Sequence, residues 1–256
     1  MLYNIKSIKI DEEDFKLIKY VIIDERMRNI EKDKLKFLGY KLIELKKNPN
    51  IYEEISSHVD IFCSKINKKI IAEESAYKNI NKMIENDNNI IQGISLVGKK
   101  YPEDIKYNVC IVGNKAIHNF KYTDREIIEE LKREKFELIN VNQGYSNCGI
   151  VVIDEKSIIT KDTGIFNILK KYDLDILYID WDLDIKLIKN KEYSKMNGFI
   201  GGAISKVENK IIVFGDLNKI DKKNKIRSFI EKRNLEIIDF KGLDVIDYGG
   251  IIEYSK

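Results

Sequence analysis

The sequence predicts an α/β protein built as a five-bladed α/β propeller of repeated ββαβ units, with residues 1–256 forming a single domain. Short stretches that open on small or polar residues and run into apolar ones recur near positions 58, 108, 147, 199 and 249. Their period of roughly 40–50 residues is that of arrays and propellers. After each opening the same order follows: strand, polar turn, returning strand, amphipathic helix, third strand. A unit of this kind cannot cover its own apolar faces, so neighbouring units must do so. An open α/β sandwich would produce the same pattern and stands as the alternative.

Taken in order, Tyr20 to Ile23 reads as a strand, Ile30 to Leu38 as a weak helix and Lys41 to Leu45 as a second strand. The next unit opens at Ser57-His58-Val59-Asp60-Ile61, has Ala76, Ile80, Met83 and Ile84 on one helical face and ends on Ile90-Ile91. The third opens at Tyr107-Asn108-Val109-Cys110-Ile111. In it Thr123-Asp124-Arg125-Glu126 has the form of a capping box before Ile127, Ile128 and Leu131, and Phe136 to Val141 is its last strand. The fourth opens at Ser146-Asn147-Cys148-Gly149-Ile150. It turns at Asp154 to Ser157, returns through Ile158-Ile159-Thr160 and forms a helix from Thr163 to Tyr172 with Asp162 as N-cap. The fifth opens at Gly198-Phe199-Ile200-Gly201-Gly202 and continues through Lys210 to Phe214, a helix carrying Ile226, Phe229 and Ile230, and Leu235 to Phe240. The last stretch, Gly249 to Tyr254, would pair with the first unit and remove two exposed edges.

Composition excludes several classes. Hydrophobic residues make up 43% of the chain and aromatics 10%, enough for a packed core. A net charge of +3 with interleaved signs is no nucleic-acid footprint. No apolar run is long enough to span a membrane, and the polar start from Met1 to Asp14 has no signal-peptide pattern. Cys63, Cys110 and Cys148 are odd in number and widely spaced, which argues against a disulfide framework and for a reducing, cytoplasmic setting. With His58 and His118 the only histidines, no ligand cluster supports a metal. No Walker loop or strand-linked GxGxxG is present, so no cofactor is expected. The segment from Lys186 to Asn197 reads as a long polar loop or lid.

Candidate chemistry lies at the unit openings. His58 and Asp60, two apart on an expected strand, would point the same way into a central pore. Cys148 opens the fourth unit, approached through Gln143-Gly144-Tyr145. Cys110 and Cys63 read as core. Asn108 and Asp247 are ligand-binding candidates that strand-end or turn hydrogen bonds would equally explain. Gly201, with Gly202, allows either a ligand or a neighbouring strand to come close.

The stretches SHVDIF, KYPEDIKYNV, NQGYSNCGIVVIDEKSIITKDTGI, GFIGGAISK and DYGGII together resemble a bacterial family of the guanidino-group-modifying-enzyme (pentein) superfamily. That superfamily includes arginine and agmatine deiminases, dimethylarginine hydrolase and amidinotransferases. The resemblance implies a pseudo-fivefold propeller binding a guanidinium- or amidine-like small molecule. It further implies a Cys thiolate attacking the guanidinium carbon, a His shuttling protons and carboxylates gripping the nitrogens. On this chain those roles would fall to Cys148, His58 and Asp60, with Asn108, Asp247 and Gly201 contacting substrate. One departure matters: the family's nucleophile comes from the last blade, where this chain offers Tyr248-Gly249-Gly250 and no cysteine. A non-catalytic propeller that binds a protein or ribosomal partner is therefore the alternative, and a metal-independent small-molecule sensor a third.

Overall fold

The computed structural model describes residues 17–256; the polar start from Met1 to Asp14, and with it the beginning of the expected single domain, lies outside them. The architecture is mixed α/β. The unit nearest the N-terminus contains β1 (Lys19–Asp24), α1 (Asn29–Phe37) and β2 (Lys41–Leu45). A one-turn helix, α2 (Val59–Phe62), leads into β3 (Cys63–Ile66), β4 (Lys69–Ala72), α3 (Glu74–Ile84) and β5 (Ile90–Gln92). The third unit holds β6 (Cys110–Val112), β7 (Lys115–His118), α4 (Arg125–Arg133) and β8 (Glu137–Asn140). The fourth holds α5 (Ser146–Gly149), β9 (Ile150–Val152), β10 (Ser157–Thr160), α6 (Thr163–Leu169) and β11 (Asp175–Tyr178). A hairpin of β12 (Ile185–Lys189) and β13 (Glu192–Asn197) follows. The fifth unit holds α7 (Ile200–Ala203), β14 (Ile204–Val207), β15 (Lys210–Val213), α8 (Lys225–Glu231) and β16 (Glu236–Ile238). Then come β17 (Val245–Ile246) and β18 (Ile252–Ser255).

The described residues form six three-stranded sheets, and five share one plan: a middle strand antiparallel to one neighbour and parallel to the strand beyond the helix. Among the described residues no sheet widens beyond three strands into one open layer. The C-terminal β18 runs antiparallel to β1, with Tyr20 opposite Tyr254 and Ile22 opposite Ile252. The sixth sheet was not expected: Lys186 to Asn197 belongs to a β-hairpin, whose β12 pairs in parallel with β17. Its exposed strand, EYSKMN, carries no apolar alternation and so reads as a loop.

The middle strands explain how the units cover one another. In β1, Val21 and Ile23 pack with Ile212, Phe214 and Ile238 of the fifth unit, whereas Ile22 packs with Phe62, Ile71 and Ile80 of the second. In β10, Ile158 faces Cys110 and Ile117 of the third unit and Ile159 faces Ile204 and Ile211 of the fifth. Alternate side chains thus enter different cores, and a strand buried on both faces reads as a continuous apolar run. Each such isoleucine contributes about 1.5–3 kcal/mol of burial.

Helix details correct three expectations. Met83 is 50% exposed while Ala76, Ile80 and Ile84 are buried, because the inward stripe of α3 follows an i, i+4, i+8 line. The cap of α4 is Asp124, whose Oδ1 accepts Glu126 N–H, while Thr123 Oγ1 bonds the His118 ring instead. Helix α6 stops at Leu169, short of Tyr172, and Asp162 caps it by accepting Ile165 N–H at 2.8 Å. Among the described residues no helix is long and apolar enough to cross a membrane.

Candidate functional site

The unit openings are turns, not strands. α2, α5 and α7 are single helical turns of four residues, and bends at Ile105–Asn108 and Asp247–Gly250 occupy the same place in the other two units. Each turn touches the next. Asp60 N–H donates to Gly249 O, Asn108 Nδ2 to Asp60 O at 3.0 Å, and Asn147 N–H to Asn108 O. Gly201 lies against the carbonyls of Asn147, Cys148 and Ile150, and Gly250 N–H donates to Gly202 O. Five polar turns are thereby drawn into one buried cluster.

His58 and Asp60 do not lie side by side on a strand. His58 is the N-cap of α2 and Asp60 stands in its first turn, so the two side chains diverge. The His58 ring sits between Asp247 (Nδ1 to Oδ1, 3.7 Å) and Asp24 (Nε2 to Oδ2, 4.0 Å), too far to hydrogen-bond either. Both ring nitrogens are buried without a partner among the described residues. Burial holds the imidazole below its ordinary pKa of 6.5, against the pull of Asp247 and Asp24, so it is neutral at pH 7.

Asp60 faces the other way. Its Oδ2 accepts the Cys148 thiol at 2.8 Å, while Oδ1 is buried and has no partner among the described residues. Burial and the charge of Asp247 lift its carboxyl to about 7, although the thiol bond pulls down. The Cys148 thiol is itself pushed well above 9.0, first by burial and then by Asp60 and Asp247. The structure therefore brings Cys148 and Asp60 into direct contact, but His58 is not a hydrogen-bond partner of Cys148 Sγ.

The remaining candidates are held by the protein itself. Asn108 donates to Asp60 O and, at 3.1 Å, to Cys148 Sγ, and its Oδ1 accepts Asn147 and Cys148 N–H. All four of its bonding positions are used, which leaves none for a substrate. Asp247 accepts Gly249 N–H through Oδ1 and Phe199 N–H through Oδ2, both at 2.8 Å. Gly201 is demanded by its closeness to the fourth unit's backbone. Cys110 is buried in an apolar cluster, and burial raises both its thiol and that of Cys63. Among the described residues no group of three or more His, Cys, Asp or Glu could hold a metal ion.

Two groups of neighbours escape a sequence reading. Asp24, fully buried at the end of β1, takes a forked ion pair from Arg26 (2.6 Å at its shortest) and the Ser57 hydroxyl at 2.8 Å. An acid closing an apolar strand two residues before an arginine was the available signal. Arg26→Met leaves a buried carboxylate unpaired and should cost about 3–5 kcal/mol in a urea melt; a loss below 1 kcal/mol would show that the pair does not hold the turn. The second group caps the Cys148 side: Tyr145 donates to Asp104 Oδ2 at 2.7 Å, meets the Tyr52 hydroxyl at 3.2 Å, and packs against Tyr101 and Phe199 at 6.0 and 5.8 Å.

A cavity of about 520 Å³ ends on this cluster. The first strand of every unit lines it, through Cys63 to Lys65, Ile111, Val152, Ile204 to Lys206 and Ile252. Asp60 and Asn147 form part of its wall, whereas Cys148, His58 and Asp247 do not.

The mixed α/β fold of such units is one the chain shares with enzymes of known structure. It matches dimethylarginine dimethylaminohydrolase (DDAH) from Pseudomonas aeruginosa, a Cys-to-Ser mutant complexed with citrulline, with a TM-score of 0.54 and 11% identity over 93% of this chain and 99% of that one. A DDAH adduct with S-methyl-L-thiocitrulline gives 0.53 and 11% over 89% and 92%. Agmatine deiminase from C. jejuni gives 0.50 and 12% over 88% and 75%. At these identities the likeness shows the fold alone. No curated protein matches the sequence. Residues 22–252 match the model of a family of unknown function, DUF6873, and the chain belongs to that family.

Proposed function

We propose that the five units close into a propeller around the strand-lined cavity and that the protein binds a small guanidinium- or amidine-like cation at the Asp60–Asp247 carboxylates. One observation carries this reading: Asp60 Oδ1 and both His58 nitrogens are buried with no partner among the described residues, although buried polar atoms are nearly always paired. Asp24 is matched by Arg26, but among the described residues no cation is hydrogen-bonded to Asp60 or Asp247, which face each other's charge. A planar cation with several N–H donors supplies the charge and the bonds missing at Asp60 Oδ1 and at the unprotonated His58 nitrogen. The pentein likeness supports the same ligand class, since one solved relative is named as an agmatine deiminase.

As an enzyme the protein would act on a C–N bond. Cys148 would add to the guanidinium carbon, the C–N bond to the departing amine would break, and the thiol proton, passed through Asp60 or His58, would end on that amine. Water would then release the product. The resting thiol opposes this, because its neighbours are carboxylates rather than cations. A bound cation would remove that obstacle. The missing cysteine beside Gly249 and Gly250 favours a second reading, a binder without catalysis whose partner is a protein or the ribosome.

Titration with methylguanidinium chloride at low millimolar concentration, followed by calorimetry or NMR, tests the ligand class. We expect saturable binding that weakens at least tenfold in Asp60→Asn and Asp247→Asn. No binding to the wild type, or equal binding by Asp60→Asn, would discard it.

A further inference from the structure

β11 is the outer edge strand of the fourth unit, with β10 on one side and, among the described residues, no strand on the other. Asp175 N–H donates to Lys156 O and Ile179 N–H to Thr160 O. The alternate residues Ile176 and Tyr178 therefore turn their own N–H and C=O groups away from the sheet. Among the described residues no other backbone group bonds them. The side chains along this edge are apolar. Ile176, Leu177 and Tyr178 are each half-buried. The Tyr178 ring is fixed by stacking on Phe166 at 4.6 Å and by the Thr163 hydroxyl at 2.8 Å. Other units are polar at the same point. Opposite the last residue of the middle strand, where β11 has Tyr178, β5 has Gln92 and β8 has Asn140. In the fifth unit Asp239 follows β16 directly. Edge strands are ordinarily blunted by charge, proline or a bulge. The run Ile176-Leu177-Tyr178-Ile179 has none of these.

We infer that this edge is an interface with a second copy of the chain, the two β11 strands pairing antiparallel about a two-fold axis at Leu177. Self-complementarity fixes the register. With Leu177 on the axis, Ile176 of one copy stands opposite Tyr178 of the other, and their outward N–H and C=O groups exchange hydrogen bonds. An axis at Ile176 or at Tyr178 would set one of the two against Leu174 or Asp180, beyond the ends of the strand. Charge fixes the direction. Lys170 and Lys171 precede the strand, and Asp180 and Asp182 follow it. Among the described residues Lys170, Lys171 and Asp180 enter no ion pair, while Asp182 meets Lys161 at 3.3 Å. Antiparallel pairing lays the lysines of one copy beside the aspartates of the other; parallel pairing would bring like charges together. On the two faces Leu177 meets its own copy and Ile176 lies against Tyr178. The sheet then runs through six strands and ends at each side on β9, which lines the cavity through Ile150 and Val152. The contact closes on itself, so the assembly stops at two chains. Nothing in it depends on the cation reading above.

Sedimentation velocity of the full chain over a wide concentration range should show reversible passage from one chain mass to two. Tyr178→Pro removes an outward N–H without touching the bonds to β10, and should weaken the dimer at least tenfold. Lys171→Glu should weaken it severalfold, and Asp180→Lys added to that variant should restore the wild-type constant, a rescue that misfolding does not imitate. If Tyr178→Pro does not fold, the charge pair decides. Leu177→Cys should be cross-linked between copies by oxidised glutathione, because the axis sets the two thiols within disulfide reach; the three native cysteines are buried. A single chain mass at every concentration would overturn the interface. So would a dimer unchanged by both Tyr178→Pro and Lys171→Glu, or assemblies that keep growing beyond two chains. A dimer in which Leu177→Cys does not cross-link would overturn the register.

Discussion

Asp60→Asn should make Cys148 react with iodoacetamide at least tenfold faster at pH 7.5 than in the wild type. The thiol donates its proton to Asp60 Oδ2 at 2.8 Å, and Asp60 and Asp247 add negative charge to a fully buried sulfur. Among the described residues the one side-chain donor to that sulfur is Asn108 Nδ2, at 3.1 Å, too little to offset burial beside two carboxylates. Each tenfold gain in thiolate corresponds to about 1.4 kcal/mol, and removing a buried neighbouring charge readily supplies that. Peptide mass mapping separates Cys148 from Cys63 and Cys110, whose thiols burial also raises. The same rate–pH curve in both proteins would mean that Asp60 is not what silences the thiol.

The same substitution changes how stability depends on pH. Asp60 titrates at about 7 in the fold against 3.8 ordinarily, so the acid form is favoured. Its contribution is complete below about pH 4 and is lost as pH rises through about 7. His118 acts in the opposite direction. Burial lowers it to about 4 from 6.5, so its contribution is present above pH 6.5 and lost as pH falls through about 4. The difference between Asp60→Asn and wild type cancels His118. It should grow in favour of the variant between pH 5 and pH 8.5, by about 3 kcal/mol. A flat difference would place the Asp60 carboxyl near its ordinary value.

How far the sequence could be read depended on whether side chains were covered from one direction or two. Strands such as KIIV and SIIT are apolar throughout because a different unit packs on each face, and that makes them plain in a linear reading. β13 has neither face buried and therefore looks like a loop. The openings mislead for another reason: a four-residue helical turn is too short to show a period of 3.6, and Ile200-Gly201-Gly202-Ala203 carries no helical signature. At the site, the residue types at the openings were legible, and the fold brings His58, Asp60, Asn108, Cys148 and Asp247 into one buried cluster. Their orientation was not, because it follows from turn geometry. Treating α2 as a strand placed His58 beside Asp60, when His58 faces Asp24 and Asp247 and Asp60 faces the thiol. The Tyr52–Tyr145–Asp104 contacts join three loops far apart in the chain, and no local spacing announces them.

Gly201→Ala should be among the most damaging single substitutions, about 3 kcal/mol or more in a urea melt. A Cβ at 201 would stand 2.5 Å from Ile150 O and 2.6 Å from Cys148 O, and closer still to Asn147 O. All three are backbone carbonyls of the α5–β9 junction, so no side chain can swing aside. The contact is where the fourth and fifth units meet, directly beside the Cys148 turn. Gly39→Ala is the control: its φ of +92° strains an alanine, but open space surrounds the site, and the expected loss is only about 1 kcal/mol. The two substitutions share the same chemistry and differ in what lies beyond the added methyl group. Relief in Gly201→Ala can come only by parting α7 from α5, which shifts the carbonyls that position Cys148. The variant should therefore also expose Cys148 to alkylation under conditions where the fold persists. If Gly201→Ala melts within 1 kcal/mol of wild type, the close approach of adjacent units at their turns, on which the whole buried cluster depends, is wrong.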